Sequence, residues 1–147
     1  MRIRLAICTA VAAVLTVPLS SVDAAAISPV RFSYVQYDSP GTDTGSNRSL
    51  NAEYVVVKNF GQKSRSITGW TVRDLNGHVY RFGRFTIKPG KTVRLHTGRG
   101  SNSRTDVYWR RDWYVWNNTG DKATLKNKSG TTVDTCKWGD GDGNTAC

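Results

Sequence analysis

The chain has 147 residues, which suits one folded unit rather than several, and it shows neither an internal repeat nor a low-complexity tract. Its formal charge of +10, from 21 Lys and Arg against 11 Asp and Glu, disfavours basic partners and points to polyanions.

Residues 1–26 read as a cleavable signal peptide. Met1-Arg2-Ile3-Arg4 is a basic start, 5–19 is an apolar run, and Val22-Asp23-Ala24 and Ala24-Ala25-Ala26 are small-x-small cleavage sites, so the cut is expected after Ala24 or Ala26. The run is shorter than the roughly 20 residues a membrane span needs. The expected product, 27–147, is therefore secreted or held at the cell surface, is not an integral membrane protein, and keeps a charge of about +9.

After the signal, no window carries apolar residues at helical spacing over three turns. Short β-branched and aromatic runs recur instead at 30–37, 53–59, 67–74, 78–82, 92–97, part of 108–116, 123–127 and 132–138. This pattern predicts an all-β sandwich. Residues 38–51, rich in Gly, Ser and Asn, read as a long solvated loop. Asn76-Gly77 reads as a type I′ hairpin turn with positive φ at both residues, and Pro89-Gly90 as another turn.

Period-two alternation points Trp70 and Val72, Tyr80 and Phe82, Val93 and Leu95, and Ala123 and Leu125 inward. Trp70, Phe82, Val93 and Leu125 are the predicted structural core. Thr71 and Arg73, Arg81, Arg94 and His96, and Thr124 and Lys126 then point outward.

With Cys8 in the signal, Cys136 and Cys147 remain as an even pair in an oxidising setting, and a disulfide is expected. It closes a loop of about ten residues, stabilises by roughly 2 to 3 kcal/mol, and pins the Gly-rich 139–143 onto the last strand.

The stretch 51–139 resembles the lamin tail domain of the bacterial secreted kind. An ordered series carries the resemblance: Asn51-Ala52-Glu53-Tyr54-Val55-Val56-Val57-Lys58-Asn59 with Gly61, then Ile67-Thr68-Gly69-Trp70-Thr71-Val72, Tyr80-Arg81-Phe82, and Ile87-Lys88-Pro89-Gly90. Val93-Arg94-Leu95-His96-Thr97-Gly98, Val115-Trp116-Asn117-Asn118 and Gly120-Asp121-Lys122-Ala123-Thr124-Leu125 complete it. The resemblance implies an immunoglobulin-like β-sandwich, a buried tryptophan at Trp70, and a binding or surface-attachment role without catalysis.

No nucleophile with a base in reach, no GxSxG and no HExxH is present, so no catalytic residue is assigned. His78 and His96 are isolated and read as exposed, no CxxC exists, and neither a metal nor a cofactor is expected. Asp140-Gly141-Asp142-Gly143-Asn144 lacks the closing Glu of a calcium loop and reads as a flexible tail. The three Asn-x-Ser/Thr sequons, at Asn47, Asn117 and Asn127, read as ordinary loop residues.

The candidate binding residues are Arg73, Arg81 and Arg94 on the outward faces, with Trp109, Arg110 and Arg111 in an exposed aromatic and basic segment. Trp116 is expected in the core. These residues suit extracellular polyanions, held without sequence-specific reading of nucleic acid, or cell-envelope proteins. A monomer is expected. The alternative role is an accessory domain that recruits a separate secreted hydrolase or surface protein by protein contact.

Overall fold

Runs of β-branched and aromatic residues alternating with polar ones dominate the chain, and the computed structural model, which describes residues 26–147, folds them into strands with one short helix. In chain order these are β1 (Val30–Gln36), α1 (Asn47–Ala52), β2 (Tyr54–Asn59), β3 (Arg65–Ser66), β4 (Thr71–Arg73) and β5 (Val79–Arg81). They continue as β6 (Thr86–Ile87), β7 (Thr92–His96), β8 (Asp106–Tyr108), β9 (Gly120–Lys126), β10 (Thr132–Gly139) and β11 (Asn144–Ala146).

A five-stranded sheet of order β11-β1-β2-β7-β8 faces a four-stranded sheet of order β10-β9-β4-β5, and β3 pairs separately with β6. Pairing is antiparallel except between β7 and β8. The result is an all-β immunoglobulin-like sandwich.

The sequence period decides which side chains lie between the sheets. In β2, Val55 and Val57 are buried; in β9, Asp121, Ala123 and Leu125 are buried while Lys122, Thr124 and Lys126 alternate with them. Across the five-stranded sheet Val57 faces Val93 and Val55 faces Leu95; across the other sheet Val72 faces Leu125. Each such aliphatic side chain, taken fully out of water, contributes about 1.5 to 3 kcal/mol. Phe82, Val93 and Leu125 belong to this core.

Trp70 does not sit where the resemblance placed it. It is half-buried at the margin, packed against the core, and the fully enclosed tryptophans are Trp116 and Trp138. The reason is local: β4 starts at Thr71, and Trp70 lies in the preceding turn, its N–H donating to Ile67 O and its carbonyl accepting from Phe82 N. Turn geometry, not strand alternation, aims its side chain.

Four other expectations need correction. The segment 38–51 is not all loop: Ser46 caps α1 by accepting from Ser49 N at 3.3 Å, and Leu50 is buried. The Asn76-Gly77 turn is not type I′, because Gly77 alone has positive φ (91°); the Asp74 carboxylate instead accepts from His78 N and closes a longer loop. His96 is buried rather than exposed, its Nδ1 at 2.7 Å from Asn51 O and its Nε2 at 2.8 Å from Asp106 Oδ1. The carboxyl end is no loose tail, since β11 pairs with β1.

Cys136 and Cys147 are disulfide-bonded. Cys136 lies in β10 of one sheet and Cys147 follows β11 of the other, so the bridge joins the two sheets along one flank. On the opposite flank Trp109, just after β8, packs against Tyr80 of β5 with ring centroids 6.1 Å apart.

Candidate polyanion-binding face

The outer face of the four-stranded sheet follows from strand register. Arg81, Thr71 and Lys126 form one cross-strand row, Val79, Arg73, Thr124 and Thr135 the next, and Lys122 opposes Lys137 in a third. Their sequence neighbours Val72, Ala123, Leu125, Cys136 and Trp138 are buried, so this set points to solvent. Thr71 belongs to the same face yet is 3% exposed. The Arg73 side chain reaches over it, with Arg73 Nε donating to the Thr71 hydroxyl at 3.4 Å.

The face carries cations without counter-charges. No outward position named above is Asp or Glu, and the nearby acids are turned elsewhere. Asp121 is buried, accepting from the backbone N–H of Leu75 and Lys122, and Asp134 accepts from Phe32 N on the other sheet. Among the described residues, ion pairs form only at His78–Asp74, His96–Asp106 and Arg99–Asp112, so Arg73, Arg81, Lys122, Lys126 and Lys137 have none. Lys122 directly opposite Lys137 is an unfavourable cross-strand pair by itself, relieved when an anion lies between them.

Of the residues singled out from sequence, Arg73 and Arg81 meet on this face and Arg94 does not. Arg94 is on β7 of the other sheet, stacked 4.5 Å from the Tyr54 ring centre. There burial tends to raise the Asp106 carboxyl, but hydrogen bonds from Thr105 and His96 and the charges of His96 and Arg94 overcome it and hold the group below its ordinary range.

Trp109 is not an exposed anchor. It is half-buried, edge-on to Trp116 at 5.7 Å, and the exposed aromatic of the segment is Trp113, at 65%. The difference arises because the chain after β8 is not a strand. Trp109, Arg110 and Arg111 donate backbone N–H groups to His96 O, Gly98 O and Thr97 O, and Arg110 takes φ 65°, which breaks the alternation. Arg110 and Arg111 are exposed, and Arg110 lowers a Tyr80 hydroxyl pKa that burial pushes up further than it is lowered.

Three residues of consequence escaped the sequence reading. Lys122 and Lys137 were legible by parity, flanked as they are by Asp121 and Ala123 and by Cys136 and Trp138. Glu53 was legible too, since it shares the inward parity of Val55 and Val57. Its side chain is wholly buried, and Oε1 accepts from Thr97 Oγ1 at 2.7 Å, Val115 N at 2.9 Å and Trp116 N at 3.1 Å. It thereby ties the segment before β9 to β2. Burial raises its carboxyl from 4.5 to about 7, against the lowering effect of those three donors.

Among the described residues there is no group of three or more His, Cys, Asp or Glu side chains placed to hold a metal ion, and no helix long and apolar enough to cross a membrane. Two face-packed sheets, a bridged flank and a cationic outer face define a module of the immunoglobulin-like sandwich kind. A family profile described as Lamin Tail Domain matches residues 23–140, which is most of the chain. The chain belongs to the lamin tail domain family. Comparison with curated proteins finds no match.

Proposed function

We propose that this protein is a secreted, non-catalytic binding module that holds extracellular polyanions, such as teichoic acid, nucleic acid or anionic lipid headgroups, on the outer face of its four-stranded sheet. The observation that carries the reading is the cluster of Arg73, Arg81, Lys122, Lys126 and Lys137 on one rigid sheet face, none of them in an ion pair among the described residues. Polyanion binding to such a face is driven by counterion release, so it is weak, tolerant of sequence and steeply dependent on salt. Among the described residues the outer face is a sheet with no helix or ribbon projecting from it to enter a groove, which supports backbone rather than base recognition.

Titration with duplex DNA and with teichoic acid at low and high salt tests this. Binding at low ionic strength that fades as salt rises is the expected result; no binding at low ionic strength ends the proposal.

A second reading, an accessory domain that recruits a secreted hydrolase or surface protein, is favoured by Trp113, a large aromatic 65% exposed beside the Arg99–Asp112 pair. Under that reading Trp113→Ala abolishes a saturable protein contact and leaves DNA binding unchanged.

A further inference from the structure

A cleft of about 630 Å³, away from the residues of the sheet face just described, is walled by four cations: Arg84, Lys88, Lys91 and Arg104. They come from separate parts of the chain, namely the link between β5 and β6, the turn between β6 and β7, and the loop before β8. No acidic residue lines the cleft, and none of the four is in an ion pair among the described residues. The acid that follows the lining residue Thr105 in sequence, Asp106, has its carboxylate engaged by His96 Nε2 at 2.8 Å and Thr105 Oγ1 at 2.6 Å.

The walls are held in place by the backbone. Lys88 and Lys91 flank a tight turn in which Lys91 N donates to Lys88 O at 3.1 Å and Gly90 takes φ 68°, the conformation that a Pro-Gly type II turn requires. The buried Asn59 anchors that turn: its Nδ2 donates to Ile87 O at 2.9 Å, its backbone N to Lys91 O, and its carbonyl accepts from Gly90 N. On the other wall, Ser103 Oγ accepts from the N–H groups of Thr105 and Asp106, so the turn that displays Arg104 is closed on itself. Hydroxyl donors at Ser64, Thr86 and Thr92 stand among the cations.

The geometry points to a discrete binding site in this cleft for a compact chain of phosphate groups, an oligophosphate or the phosphodiester end of a longer polymer. Four cations around one cleft exceed what a single tetrahedral anion needs, and the volume lies within the roughly 300 to 1,000 Å³ of small-ligand sites. Two arginines supply forked donors for phosphate oxygens, the two lysines supply point charges, and the hydroxyls can donate to bridging oxygens. The cleft differs from the sheet face in being concave and in using other residues, so either site can fail without the other.

The test is calorimetric titration of the protein with inorganic tripolyphosphate at low ionic strength, with an oligomer of glycerol phosphate in parallel. The expected result is saturable binding of tripolyphosphate. Arg84→Gln with Arg104→Gln weakens it by about tenfold or more, the loss of two charge-assisted forks, with an unchanged melting temperature. Arg73→Gln with Lys126→Gln changes tripolyphosphate binding by less than about twofold, because those residues lie on the sheet face. Glycerol phosphate oligomer that competes with tripolyphosphate assigns the site to polymer ends, and failure to compete assigns it to free oligophosphate. Tripolyphosphate binding that is non-saturable, or that the Arg84 and Arg104 variant leaves intact, overturns the inference whatever the DNA titration shows.

Discussion

Glu53 accepts three hydrogen bonds on one oxygen in the interior, and burial still lifts its carboxyl to about 7. A folded-state value above the unfolded one means that the folded protein takes up the proton more readily. The stabilising contribution is therefore complete below about 4.5, declines as pH rises, and is lost above about 7. We predict that unfolding free energy falls by about 3 kcal/mol between pH 4.5 and 8 from this group, and that Glu53→Gln flattens that window in urea melts followed across pH. A wild-type profile that rises over the same range contradicts the assignment.

The tryptophans separate by burial in the same way. Trp116→Ala is expected to cost about 3 to 5 kcal/mol, because Trp116 is enclosed between Trp109 and Trp138. Trp70→Ala, from a half-buried margin, is expected to cost about 1 to 2 kcal/mol. Chemical denaturation of the two variants side by side checks the order, and the reverse order would restore the resemblance's reading of Trp70.

At the level of the elements, β11 depends on what holds it. It has three residues, pairs only with β1, and is anchored by Cys147 to Cys136, eleven residues back in sequence. Loop-closure entropy for that span gives about 3 kcal/mol. Replacing both cysteines with serine is predicted to lower stability by that amount and to release the backbone N–H groups of β11 to fast hydrogen exchange while those of β2 stay protected. Equal protection in both would show that the strand, not the bridge, holds the end.

The strands with strict alternation, β2 and β9, and β7 as far as Leu95, were legible in the sequence because one face of each is buried and the period is two. Legibility failed where the backbone leaves that period. The segment 109–116 interleaves aromatic and charged residues but is not a strand, so its sequence pointed to Trp109, beside Arg110 and Arg111, as the exposed ring when the exposed ring is Trp113. His96 has outward parity but is capped by Asp106 and Asn51, partners that are distant in sequence. β11 carries too few apolar residues to announce itself, and its pairing with β1 joins the two ends of the described chain.

For the molecule as a whole, the two sheets divide the basic residues that sequence alone grouped together. Arg73 and Arg81 share a face with Lys122, Lys126 and Lys137, whereas Arg94 looks out from the opposite side over Tyr54. Parity within a strand could tell inside from outside; it could not tell which outside, because that depends on which strands pair. The candidate face was therefore half legible, its residue types visible and its membership set by topology.

The dependence of DNA affinity on salt measures that face most directly. A footprint of four to five phosphates gives a slope of log affinity against log salt of about −4, and Arg73→Gln with Lys126→Gln and Lys137→Gln should reduce it to about −2 or less while Arg94→Gln leaves it near the wild-type value. A triple variant with the wild-type slope, or an Arg94→Gln variant that loses as much as the triple, would contradict the claim that the four-stranded sheet is the polyanion-binding surface.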